Sequence, residues 1–206
     1  MHKATSEDTR WATKALMRLF AAFTGLIAMC LFSAAISYEN ANFENTMGNG
    51  DWPDGLALAP IILSLLFNPV AFVMHLMFRK SRPIHPAVRM TLDLLVWILA
   101  APAIVVCIGS GVFWLWTPAT PSADGTVDCF NIMNAFSQEC SPIAYTIGKL
   151  QIAGIVFLCI LFVCHLTLFI YATIDMRNRM LANRSQSSEE FDMSHAKDVE
   201  AQSQSS

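Results

Sequence analysis

Four stretches of this chain contain no Asp, Glu, Lys or Arg: Leu19 to Tyr38, Leu56 to Phe78, Leu94 to Thr117 and Leu150 to Ile174. Each has about twenty residues or more, and at about 1.5 Å rise per residue that is enough to cross a hydrocarbon core of ~30 Å. A soluble core helix that is apolar all round over this length is rare, and four in one chain of 206 residues are rarer. In lipid the backbone must satisfy its polar groups within the segment, so these stretches are expected to be helices. Only 14% of the residues are charged, against about 25% in soluble domains. The expected fold class is an all-α membrane protein, an antiparallel four-helix transmembrane bundle with both termini cytoplasmic.

The expected organisation is a cytoplasmic arm at 1–14, a membrane domain at 15–176 and a disordered cytoplasmic tail at 177–206. The spans are placed at about 15–38, 56–79, 88–116 and 147–174. The first apolar run exceeds the ~7–15 residues of a cleaved signal core, so it reads as a retained signal-anchor.

Orientation follows from the bases. Lys3, Arg10, Lys14 and Arg18 precede span one; Arg79, Lys80, Arg82 and Arg89 join spans two and three; Arg177, Arg179, Arg184 and Lys197 follow span four. The other two connections carry Glu39, Glu44, Asp51 and Asp54, and Asp124, Asp128 and Glu139. Twelve of thirteen bases thus share one side, Lys149 being the exception, and the positive-inside rule assigns that side to the cytoplasm. "FRKSRPIHPAVR" (78–89) becomes a tight cytoplasmic hairpin. Pro83 and Pro86 stop it continuing as helix, and its bases set orientation and can meet anionic lipid heads at about 1 kcal/mol each. Tyr38, Trp52, Trp114, Trp116 and Tyr145 fall at the outer interface and Trp11 and Tyr171 at the inner one, as an aromatic belt does.

Cys30, Cys107, Cys159 and Cys164 lie inside spans, where cysteine acts as a small apolar residue, whereas Cys129 and Cys140 lie in the outer loop "DCFNIMNAFSQEC". An oxidising compartment favours a bridge between that pair, contributing roughly 3 kcal/mol in the chain-entropy model. No His accompanies them there, so zinc is not expected.

Pro69 and Pro102 interrupt spans two and three and are expected to kink them. Asp93 and His75 each lie four residues inside the boundary base of their own helix, Arg89 and Arg79, which puts both about 6 Å in. Asp93 is therefore expected to pair with Arg89 or, across the hairpin, with His75. His165, about 15 Å from Asp175 along its helix, reads as too deep to complete a proton relay. Ala21, Gly25, Ser33 and Ser37 form a candidate small-residue seam on span one, with Gly109, Gly111, Gly148 and Gly154 as matching surfaces. The tail after Asn183 is polar and serine-rich, and Ser187, followed by Ser188, Glu189 and Glu190, resembles an acid-directed phosphorylation site.

Four spans, a short first outer loop, a basic hairpin and a cysteine-bearing second outer loop resemble MARVEL-type tetraspans over residues 12–176. "DGLALAPIILSLLFN" opening span two and "DC" before the last span are similar to fungal members. The resemblance implies a non-catalytic role in organising membrane domains, sorting cargo or supporting vesicle trafficking and secretion. The expected site is the plasma membrane or a secretory endomembrane. The expected partners are the bilayer, anionic lipids, and further copies or other membrane proteins, with no nucleic acid. No cofactor, metal ligand set or catalytic group is expected, since Ser110 lies far from His75 and Asp93. The alternative is a small transporter or channel subunit using the polar residues near the inner leaflet.

Overall fold

The computed structural model describes residues 11–43, 51–77 and 86–204. Arg79, Lys80 and Arg82 lie outside them, as do the side chains of His75 and Ser187, so the expectations made for these residues are not addressed. Within the described residues the chain is helical. Helices α1 (Trp11–Asn42), α2 (Asp51–Met77), α3 (Pro86–Ser110) and α4 (Pro142–Gln204) are joined, between α3 and α4, by a short 3-10 turn at Val112–Leu115 and a loop. Each of the four has a stretch long and apolar enough to cross a membrane: Ala12–Asn42, Pro53–Met74, Ala87–Leu115 and Pro142–Asn178.

α1 packs on α2 and α4, and α3 packs on the same two, so the helices occupy the corners of a square in chain order. Each turns a stripe of small and medium residues inward at three- and four-residue steps. On α1 the stripe is Lys14, Arg18, Ala21, Gly25, Ala28, Phe32 and Ala35; on α3 it is Asp93, Val96, Ala100, Ala103 and Cys107. Large aliphatics such as Leu16, Leu66, Val105 and Val163 point away from the bundle. In water they would form an adhesive surface; in lipid they are solvated.

The small-residue seam is partly corrected. Ala21 and Gly25 are buried, but Ser33 and Ser37 are exposed, because a strict four-residue step drifts away from the inward stripe. Phe32 takes the place expected of Ser33. A methyl group on Gly154 of α4 would lie 3.0 Å from the Phe32 ring, so glycine there allows α1 and α4 to approach.

α2 runs through Pro60 and Pro69, and α3 through Pro102, each as a single helix despite the lost donors. α4 continues to Gln204, where the sequence reading expects an unfolded tail. No Gly or Pro follows Gly154, and extending a formed helix avoids the costly nucleation step, so nothing in the sequence stops it.

The loop between α3 and α4 is built from successive turns. Cys129 and Cys140 are joined as a disulfide. Asn134 is buried, accepts from Thr120 N (3.0 Å) and Thr120 Oγ1 (2.8 Å), and donates to the carbonyls of Thr120 and Asp128. Asp128 accepts from Phe130 N at 3.0 Å, which closes a local turn. Gly125 holds a positive φ of 78°, and Asp124 Oδ1 accepts from Thr126 N and Oγ1 in the same turn.

Candidate functional site

The bundle interior holds five polar side chains in one closed circuit. Arg18 enters from α1, Ser64 and Asn68 from α2 one helical turn apart, Asp93 from α3 and His165 from α4. Asp93, His165, Ser64 and Asn68 are fully buried and Arg18 nearly so. Arg18 grips Asp93 with both terminal nitrogens: Nη1 donates to Oδ1 at 2.6 Å, and Nη2 donates to Oδ2. The same Nη1 donates to Asn68 Oδ1 at 3.0 Å. Asn68 Nδ2 donates to Ser64 Oγ at 2.7 Å, and Ser64 Oγ lies 2.8 Å from His165 Nε2. His165 Nδ1 lies 2.9 Å from Asp93 Oδ1, which closes the circuit.

One assignment of protons satisfies every step. With the proton on Nδ1, His165 donates to Asp93, and its bare Nε2 accepts the Ser64 hydroxyl proton. Ser64 is then left to accept from Asn68, whose carbonyl accepts from Arg18. Within the ring the Arg18 cation and the Asp93 anion face each other directly. The Arg18 guanidinium also stacks 4.5 Å from the Phe67 ring centre.

One expectation is corrected here. Asp93 meets Arg18 and His165, neither of which the sequence paired with it; the expected pairing with His75 lies outside the described side chains. His165, judged too deep, is in direct contact with Asp93. The error comes from using charged residues as depth markers: Arg18, read as a boundary base, is itself buried in the bundle. A signal was available. A lone carboxylate in a span calls for a base, whereas the inward stripes that bring Arg18, His165 and the Ser64/Asn68 pair to Asp93 appear only on packing.

Next to the ring, toward the start of α1, Lys14 Nζ donates to Asp175 Oδ2 at 2.6 Å. Lys14, Arg18 and Arg89 line a small cleft with Ala15, Ala71, Leu168, Tyr171, Ala172 and Asp175.

The opposite end of the bundle is held differently. Asp54, expected in a loop, is buried on α2 and accepts from Gln151 Nε2 of α4 at 2.9 Å. The carbonyl end of Gln151 accepts from Val112 N at 3.0 Å, and Cys107 Sγ of α3 donates to the Pro53 carbonyl. Beyond these bonds Trp116 packs 4.3 Å from Tyr145, and Lys149 sits over the same Tyr145 ring.

Among the described residues no cluster of His, Cys, Asp and Glu could hold a metal ion. Comparison with family models, curated proteins and solved structures finds no match to this chain.

Proposed function

We propose that this chain is a non-catalytic tetraspan of MARVEL-like type that organises membrane domains or assists vesicle trafficking and secretion. In this reading its helices run antiparallel, with both ends cytoplasmic, in the plasma membrane or a secretory endomembrane. The basic hairpin residues Arg79, Lys80, Arg82 and Arg89 fix orientation and meet anionic lipid heads. The outward aliphatic faces contact lipid, other membrane proteins or further copies of the chain.

The observation that carries this reading is the closed ring. Each helix contributes to it, its hydrogen bonds close on themselves, and Arg18 faces Asp93 within it. Such a network specifies how four otherwise apolar helices rotate against one another, a use for which buried polar groups are attested. It leaves no bare base or nucleophile pointing into a substrate-sized space.

Topology is tested in intact cells. After mild reduction, a membrane-impermeant thiol reagent is expected to label Cys129, while an engineered Ser81→Cys stays unlabelled; the reverse pattern would invert the orientation. Function is tested by reconstitution. Asp93→Asn and His75→Ala are expected to lower abundance or thermal stability, with no flux to lose.

The second reading, a small transporter or channel subunit, draws on two neighbouring polar groups, the Lys14–Asp175 pair and the buried ring that holds His165 and Ser64. It requires pH-dependent flux in liposomes that Asp93→Asn abolishes while the protein remains folded.

A further inference from the structure

The loop between α3 and α4 is built inside out. Its small polar residues Asn134 and Ser137 are buried, whereas Phe130 is fully exposed, Ile132 is 81% exposed and Met133 66%. No charged residue falls between Phe130 and Gln138. The polar side chains beside the apolar ones turn back onto the loop: Asp128 Oδ1 accepts from Phe130 N and Asn131 Oδ1 accepts from Met133 N, each at 3.0 Å. The N–H groups of Asn131 and Asn134 are likewise bonded, to the carbonyls of Asp128 and Asn131. The tip thus presents apolar side chains over a backbone whose donors at these four positions are already satisfied.

The loop is also fastened to the ends of two apolar helical stretches. Cys140 lies two residues before Pro142, where the α4 stretch long and apolar enough to cross a membrane begins. The disulfide holds the Cα of Cys129 5.3 Å from that of Cys140. Consecutive Cα atoms are about 3.8 Å apart, so Phe130 leaves the backbone within about 9 Å of Cys140. On the other side Thr117 N donates to the Phe136 carbonyl at 3.3 Å, two residues past Leu115, where the α3 stretch ends. Trp114 and Leu115, both exposed, mark that exit. We infer that Phe130, Ile132 and Met133 dip into the membrane interface on this side, at the boundary between head groups and acyl chains, and anchor the loop to lipid. Apolar side chains gain burial there, and the tip's bonded donors lose nothing on leaving water. A protein partner is oriented by polar groups around the apolar centre of its contact, and here Asp128 and Asn131 use theirs within the loop. The disulfide and the bonds of Asn134 to Thr120 and Asp128 hold the tip in this arrangement. The inference rests on the helices lying in a bilayer and stands apart from the trafficking role.

Photocrosslinking tests this. p-Benzoylphenylalanine, whose excited ketone reacts with nearby C–H bonds, replaces one residue at a time of the full chain: Phe130, Ile132, Ser122 in the polar turn of the same loop, and Val105 on the outward face of α3. All four positions are exposed, so the replacements leave the packing alone. Each variant is reconstituted in phosphatidylcholine liposomes at low protein density and irradiated, and adducts are identified by mass. Lipid adducts are expected at Phe130 and Ile132, as at Val105, and none at Ser122. Adducts at Val105 with none at Phe130 and Ile132 overturn the inference while leaving the membrane bundle standing. Equal yield at Ser122 also overturns it, since a loop merely lying on the surface labels everywhere. Absence of lipid adducts at Val105 overturns the membrane placement and the anchor with it. A covalent dimer in place of the lipid adduct assigns the tip to a second copy, and a protein adduct replacing it in intact cells assigns it to another partner; either result overturns lipid anchoring.

Discussion

The two ends of the helical bundle solve one problem with different chemistry. At the Arg18 end, full charges are buried and cancelled by opposite charges: Arg18 with Asp93, and Lys14 with Asp175 nearer the rim. At the Asp54 end a single carboxylate is met by the amide of Gln151, which turns its other face to the Val112 backbone. The first arrangement is intolerant, because a buried ion that loses its partner keeps its desolvation cost. The second degrades gradually, because an amide bond is worth far less and water can substitute near the boundary. The difference separates a register-setting device from a fastening.

The comparison breaks most visibly at Asp93. Asp93→Ala strands Arg18 in the interior and is expected to cost about 3–5 kcal/mol, read as loss of thermal stability in detergent. Replacing both partners, Arg18→Met with Asp93→Leu, is expected to recover most of that loss, as apolar substitutes for buried ion pairs often do. If the double variant is as unstable as the single one, the ring contributes more than charge cancellation.

Opening the disulfide comes next. Cys129→Ser with Cys140→Ser is expected to cost roughly 3 kcal/mol in the chain-entropy model. The loss should be confined to the loop, appearing as faster proteolysis between residues 117 and 141 while the four helices stay protected.

At the Asp54 end, Gln151→Leu removes the amide donor from Asp54 and leaves the Val112 N–H short of its acceptor, for about 1–3 kcal/mol. The same melting assay that measures Asp93→Ala should rank it lower; an equal effect would erase the distinction between the ends.

The smallest effect lies in the outer turn. Hydrogen bonds from Thr126, first its hydroxyl and then its backbone N–H, hold Asp124 below its usual carboxylate range, and the group is fully exposed. A lowered folded-state value means this contribution is present above the ordinary range near 3.8 and fades as pH falls through the lower folded value. Protection of the Thr126 amide, measured against its intrinsic exchange rate at each pH, should therefore fall in acid, and Asp124→Asn should remove that pH dependence.

Much of the architecture was legible because it rests on absence. Segments without charge announce their length, and Cys129 and Cys140 stand out as the two cysteines outside the apolar blocks. The ring was not legible, and the reason is rotational. A helix apolar on every side gives no periodic signal of which face turns inward, so Arg18 read as a rim base and His165 as an isolated residue. Only packing aligns Arg18 with Asn68 and Asp93. Asp54 was misplaced for a related reason: it sits at a span boundary, where a carboxylate is equally at home in water or beneath a neighbouring amide.

The sequence separation within the ring has a consequence for biosynthesis. Arg18 is made 75 residues before Asp93 and far earlier than His165. At about 5–20 residues per second, the first helix waits roughly 4–15 s for its counter-charge. During that interval its guanidinium must stay at the lipid surface or be sheltered by the insertion machinery. A nascent chain truncated before its third helix would carry an unneutralised cation, a mark by which an incomplete product can be told from a finished one.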